Sequence, residues 1–358
     1  MNLNINSQIL AEELRHLNKI VPSKPTIQIL SHILFRATEG NLSFYATDLE
    51  LGLLSSVTAD VREPGELALP AQKMLSLVEQ FPDDDVSIMK DKTQVVVRCG
   101  KFTSRLQVLP TFDFPKIPQE SGKSSLLSGQ ALSQAIDKTI YAIVEGGPKY
   151  ITQGALLTLK QNGAAMIATD GKRLAVATMQ LDKNNEEMRV IVPLKTLNVL
   201  TTQLGNGEVT MTNSEKHLFF RIENRLLISR MIDGSFPRYE AIIPRENDKK
   251  IAISKYQFAS ALRRVNLVSG DNKAVNFEVT EGQLKISSSS VEVGSADEVV
   301  EVHYSGPDLK ICVNGDHVLD FANTAIHSNI VMALKDSLTA MMLLDGDSYV
   351  GVIMLLKS

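Results

Sequence analysis

Apolar positions recur at helical spacing in three separated stretches of the chain. Residues 7–21 carry Leu10, Leu14, Leu17 and Val21. Residues 129–143 carry Leu132, Ile136, Ile140 and Ile143, and residues 255–268 carry Phe258, Leu262 and Val265. Steps of three and four put each set on one stripe of a helix. Asn6, Ser128 and Ser254 stand four residues ahead of these stripes, where a short polar side chain suits a helix N-cap. Ser254 with Gln257 reads as a capping box.

A second helix follows each of the first three. Pro70 opens one with Met74, Leu77 and Phe81 on a stripe, and Pro193 opens its counterpart with Leu197, Leu200 and Leu204. The third copy, with Val318 and Phe321, begins at Asn314-Gly315-Asp316 instead of a proline. Other landmarks keep the same spacing of about 122–126 positions: Ala46-Thr47-Asp48 recurs as Ala168-Thr169-Asp170, and Phe114-Pro115 as Phe236-Pro237. Alternating segments such as 94–98 and 218–222, punctuated by Gly40, Gly163, Gly207, Gly282 and Gly346, read as strands and hairpins. The pattern predicts an α+β fold of three repeated domains, each with two helices and largely antiparallel sheet, over 1–122, 123–247 and 248–358. Linkers are expected near 119–125 and 245–249, which are polar and helix-poor.

Composition narrows the function. The chain has 358 residues, 44% hydrophobic and 22% charged, with 37 basic and 41 acidic side chains for a net charge of −4. That is globular composition, and it excludes disorder for the bulk of the chain. No apolar run reaches membrane-spanning length and the start lacks a signal-peptide pattern, so a cytoplasmic protein is expected. Net negative charge leaves nucleic acid open only if the cations gather on one face. Absence of tryptophan and 5% aromatics argue against a base-stacking single-strand binder. Cys99 and Cys312 lie in apolar stretches and read as buried thiols.

Catalytic signatures are missing. There is no GxxxxGK[ST] or GxGxxG phosphate loop, no HExxH and no GxSxG, and the six histidines lack ligand spacing. Asp83-Asp84-Asp85 follows Pro82 and reads as a solvated turn. The most distinctive polar stretch, 168–173, reads as a tight turn after a strand, with Gly171 supplying a positive φ. No cofactor or metal is expected. The alternatives to a DNA-binding role are a metabolic enzyme with a site hidden at a domain junction and a peptide-binding scaffold that never meets DNA. Arg15, Lys19, Lys73, Lys138, Lys195, Arg263 and Arg264 on the repeated helices favour DNA over the scaffold.

The strings ATDGKRLAVATM (168–179), IVPLKTL (191–197), DGSFPRY (233–239) and the closing YVGVIMLLKS resemble the bacterial sliding clamp, the β subunit of DNA polymerase III. So do KPTIQIL (24–30), ATDLEL (46–51) and LPTFDFPKI (109–117), and the resemblance runs in order along the whole chain. It implies a non-catalytic homodimer, closed head to tail into a ring of six domains, with helices lining the hole and sheets on the rim. Such a ring encircles duplex DNA without reading its sequence and tethers the replicative polymerase. The clamp loader, other polymerases and repair proteins are the further partners implied, through short linear motifs, in the cytoplasm at the nucleoid.

The resemblance also assigns residues. It adds Lys24, Lys149 and Tyr150 to the DNA-facing set. It implies a peptide pocket formed by Thr152, Thr169, Gly171, Lys172, Arg173 and Leu174, with Pro237, Ile242, Leu338, Val352 and Met354. It sets Leu267 and Val268 of one protomer against Leu106 and Val108 of the next. Thr152 and Leu355 depart from the family's usual Leu and Pro, and Asp137 interrupts the basic lining at the position of Arg15 and Arg263.

Overall fold

The computed structural model describes residues 1–146, 152–161, 163–181 and 187–357. The six α-helices among these residues fall in pairs: α1 (Ser7–Asn18) and α2 (Ala71–Val78), α3 (Gly129–Asp137) and α4 (Leu194–Thr201), α5 (Lys255–Asn266) and α6 (Gly315–Thr324). Asn6 caps α1 by accepting from the backbone N–H groups of Gln8 and Ile9. Asn314 caps α6 through the N–H of His317. Ser254 stands at the N-cap of α5 but makes no side-chain cap bond, so the expected capping box does not form. Pro70 is itself the cap residue of α2 and the last residue of the preceding strand.

The helical stripes are buried as their periodicity requires. Leu10, Leu14 and Leu17 of α1 and Phe258, Leu262 and Val265 of α5 are all buried. On α2 the buried face is Met74 and Val78, while Leu77 and Phe81 remain half-buried. The stripe at 129–143 is broken after Asp137 and resumes as a 3-10 turn at Ile140–Ala142. Both cysteines are buried, and burial raises both thiol pKa values.

The chain divides into two compact units, one of residues 1–130 and 195–231, the other of 131–194 and 232–358. The first holds a five-stranded sheet in the order Asp60–Glu63, Asn2–Asn6, Asp85–Asp91, Gln94–Cys99, Phe102–Gln107. It also holds an eight-stranded antiparallel sheet that draws strands from two repeats. Lys123–Ser128, Glu208–Asn213, His217–Ile222 and Arg225–Arg230 come from the second repeat. Leu51–Thr58, Asn41–Thr47, His32–Thr38 and Gly65–Pro70 come from the first. The join is the ladder of Arg225–Ser229 on Ser55–Leu51.

The second unit repeats this plan. Its eight-stranded sheet runs Met188–Pro193, Gly154–Lys160, Gly163–Thr169, Arg173–Gln180, then Tyr349–Ile353, Met341–Asp345, Asn329–Leu334 and Lys249–Ser254. Here the join is Arg173–Ala177 on Ile353–Tyr349. A four-stranded sheet, Gly294–Glu301, Gln283–Ser290, Ala274–Thr280 and Leu309–Asn314, completes the unit. Residues 123–125 and Lys249, expected in linkers, are strand residues at the outer edges of the two large sheets.

Candidate functional site

The turn at 169–173 is held by its own side chains. Thr169 Oγ1 donates to the carbonyl of Arg173 at 2.6 Å and accepts from the N–H of Gly171 at 3.1 Å. Asp170 Oδ1 accepts from Lys172 and Arg173 N–H at 2.8 and 2.9 Å. Gly171 sits at φ +87, where a side chain is disfavoured. The first repeat builds the same turn with Thr47 and Asp48, but with Leu49 at φ 79 in place of the glycine.

Beyond the turn, Leu174 pairs across the join with Val352. Both are buried in an apolar cluster with Ile232 and Phe236. Pro237 follows Phe236, and the carbonyl of Tyr239 accepts the N–H of Ile242. The N–H of Met354 donates to the carbonyl of Lys172 at 2.9 Å, which carries the chain's end alongside the turn. Ile242 and Met354 are exposed apolar residues next to a buried apolar floor, and such a rim suits a short peptide with bulky side chains. Leu338 is also exposed, in a turn held by Asp336, two residues before Ala340 of the same cluster. The half-buried Thr152 precedes the strand Gly154–Lys160, whose Leu156 lies in the cluster.

Arg173 is committed to the fold. Its guanidinium reaches Asp170 at 3.0 Å, Asp320 of α6 at 2.5 Å and the carbonyl of Tyr141 at 2.5 Å, and it lies over the Tyr141 ring. Tyr141 and Tyr349 share a hydroxyl contact of 2.9 Å, and Tyr349 continues to Thr324 at 2.7 Å. Burial raises both phenol pKa values above the ordinary 10.0, so both hydroxyls stay neutral. Tyr141, Asp320, Thr324 and Tyr349 brace the groove from behind. Sequence reasoning missed them because nothing in their spacing ties them to residue 173.

The cationic positions separate into three kinds. Lys19, Lys24 and Lys73 are exposed. Arg15 pairs with Glu79 at 2.9 Å, Arg264 with Glu298 at 2.5 Å, Arg263 with Asn323, and Lys195 with Asp48. Lys138 corrects the sequence expectation: it is buried, with its ammonium 5.3 Å from the centroid of the Tyr349 ring, and is no surface cation. Asp137 is exposed instead. Lys149 and Tyr150 lie outside the described residues. Leu106 and Val108 are half-buried in and just beyond the edge strand Phe102–Gln107. Leu267 is 79% exposed after α5, and Val268 is half-buried.

Among the described residues no group of His, Cys, Asp and Glu is placed to hold a metal, and no helix is long and apolar enough to cross a membrane. Repeated helix pairs, sheets shared between repeats and an apolar groove backed by neutral phenols make a scaffold suited to binding. Comparison with known proteins makes the class specific. Family profiles for the DNA polymerase III beta subunit match in sequence order: the N-terminal domain at residues 1–118, the central domain at 126–238 and the C-terminal domain at 240–355. The beta sliding clamp of Caulobacter vibrioides is 33% identical over 332 residues, covering 89% of each chain. That of Pseudomonas aeruginosa is 28% identical over 357 residues, covering 97% of each. The crystal structure of the Pseudomonas aeruginosa beta subunit superposes with a TM-score of 0.97 at 28% identity over 100% of both chains. A structure of the sliding clamp from that organism bound to griselimycin superposes at 0.96, also at 28% identity and over 100% of both chains. The chain belongs to the DNA polymerase III beta-subunit family, the bacterial sliding clamps. It is accordingly a non-catalytic processivity subunit of DNA replication.

Proposed function

We propose that two copies of this chain close head to tail into a ring that holds duplex DNA by topology, and that the groove beside Leu174 and Val352 tethers polymerases and the clamp loader. The observation that carries the ring is the pairing scheme. In the first join, a strand that follows the 47–51 turn pairs with the last strand of the next repeat. In the second join the same two kinds of strand pair again. One strand of each kind is left at a sheet edge: Gly294–Glu301 in the third repeat and Phe102–Gln107 in the first. An unpaired edge is a template for another strand. A second copy supplies the missing partner at both edges, and the operation closes after two chains.

Charge supports the same joint. Gly294–Glu301 carries Asp297, Glu298 and Glu301, whereas Lys101 and Arg105 flank and occupy the facing edge. The exposed Leu267 and half-buried Val268 supply apolar contact to Leu106 and Val108. Within the ring, the exposed cations Lys19, Lys24, Lys73, Arg15, Arg263 and Arg264 meet phosphates, a contact that positions without reading sequence. Lys195 joins them from its place on a repeated helix, and Lys149 and Tyr150 on the family resemblance. The pocket accepts two or three bulky apolar side chains and one polar one from a polymerase or loader tail. The working place of such a clamp is the nucleoid.

Loading on nicked circular duplex, followed by linearisation, tests the topology. The protein is expected to remain on circles and to leave linear DNA by its ends. Retention on open-ended DNA at physiological salt overturns the reading.

A further inference from the structure

Along the eight-stranded sheet of the second unit, the face that carries the peptide groove continues past it. Alternate residues on a strand share a face. Thr169, Leu174 and Val352 therefore form one row across three strands, and Leu156, Ile167, Val176 and Val350 form the next. A third row is Thr158, Ala165 and Thr178, extended by Ser348, whose carbonyl accepts the N–H of Thr178. Over this row lies a second groove of about 600 Å³, bordered by Val176, Ala165 and Tyr239 and rimmed by Lys160, Gln180 and Asp347. Val176, Ala165 and Tyr239 also belong to or pack on the apolar cluster under the peptide groove. The two grooves thus share a wall.

The first repeat supplies an internal control. Its corresponding row is Arg36, Ser43 and Ser56, where Ser56 N–H again donates to the next strand's turn, at Asn224. That row is polar and self-satisfied: Arg36 pairs with its cross-strand neighbour Glu66 at 2.6 Å, and Ser56 Oγ donates to Asn41 at 2.7 Å. In the second repeat, threonine and alanine stand where arginine and serine stood. Arg189, opposite Thr158 on the same face, reaches Glu240 at 3.9 Å and closes the far end of the row. Between Arg189 and Asp347 the row has only small uncharged side chains, and the Thr158 and Thr178 hydroxyls bond to the carbonyls of Ala165 and Ser348, so the floor beside the peptide site offers methyl groups to an apolar side chain.

We infer that this groove is a second subsite for the same docking peptides. It takes one bulky apolar side chain from the uncharged, extended flank of a tail whose anchor occupies the Leu174–Val352 groove. The inference rests on the peptide-pocket reading above. Leu174 and Thr178 are four residues apart on one strand, roughly 13 Å, so a flank of about four extended residues spans them. Lys160 and Asp347 on the rim offset each other, which leaves no preference for a charged flank.

Fluorescence anisotropy with the full-length protein tests it. Three probes are compared: a labelled pentapeptide with one glutamine and three leucine or phenylalanine anchors, and the same peptide with four uncharged residues ending in leucine added at one end or the other. One extended peptide is expected to bind about tenfold tighter than the pentapeptide, and alanine in place of its terminal leucine should remove the gain. Thr178→Arg, and separately Ser348→Arg, should erase the gain while leaving pentapeptide affinity unchanged, which also reports intact folding. A pentapeptide that binds with no gain from either extension overturns the subsite. A gain that survives both arginine variants overturns it too. Failure of the pentapeptide itself overturns the pocket reading, and the subsite with it.

Discussion

Replacing Leu267 and Val268 by aspartate should convert the ring to monomers, and the magnitude follows from the exposure of these two side chains. Leu267 is 79% exposed in the single chain, so nearly all of its surface is available for burial against a partner. Burying a leucine contributes about 2 kcal/mol and a half-buried valine somewhat less. An aspartate in the same joint loses that term and adds the desolvation of a carboxylate, several kcal/mol when no cation pairs it. Together these give about 5 kcal/mol per joint. A closed head-to-tail dimer has two joints that open together, so dissociation gains about 10 kcal/mol, or about 10⁷-fold in Kd. A ring that is nanomolar in the parent becomes a monomer at any usable concentration. Sedimentation equilibrium reads this directly, because the species are one and two chain masses. Circular dichroism must be unchanged, since neither residue belongs to an apolar core. A double aspartate variant that sediments as an intact dimer refutes the joint.

Deleting Met354 to Ser358 should abolish binding of polymerase tail peptides in calorimetry while leaving the dimer intact, because Met354 hydrogen-bonds Lys172 at the groove and not at the joint. Gly171→Ala should lower stability by about 1 kcal/mol or more through its φ of +87 alone, since no atom lies within 4 Å of the added carbon; denaturant unfolding measures it. Burial raises the pKa of Glu13, but its bonds to Arg225 outweigh burial and hold the group below the ordinary 4.5. A depressed carboxyl stabilises the fold above its unfolded pKa and loses that contribution as pH falls through the folded value, so urea midpoints should drop below about pH 4.5. Glu13→Gln should be less stable at neutral pH and should show a shallower acid loss.

The helices were legible because their signal is local. Leu10, Leu14 and Leu17 fall on one face whatever the rest of the chain does, and their burial follows. The turn at 169–173 was legible for the same reason: Thr, Asp and Gly at those spacings satisfy their own backbone. The joins between repeats were not legible, because pairing Leu227 with Leu53 depends on a register between strands far apart in sequence. Lys138 illustrates a different limit. Its place on a repeated helix suggested a solvated cation, but that helix gives way to a 3-10 turn just beyond it and the side chain packs on an aromatic ring. Arg173 was assigned to the pocket, yet two of its three partners were invisible, since Asp320 and Tyr141 approach from other elements.

Sheet sharing between repeats bears on how the chain is made. The strand Leu51–Thr58 finds its second neighbour only when Arg225–Arg230 has been synthesised, and Arg173–Gln180 waits for Tyr349–Ile353 at the very end of the chain. Contacts of such high sequence separation raise the contact order and slow folding. On the ribosome, the first repeat therefore spends the synthesis of most of the second with an open, apolar edge strand, a natural point for chaperone capture or misassembly. Cutting the gene at the repeat boundaries would make that state permanent, so an excised first repeat should aggregate although its helices and its five-stranded sheet are complete.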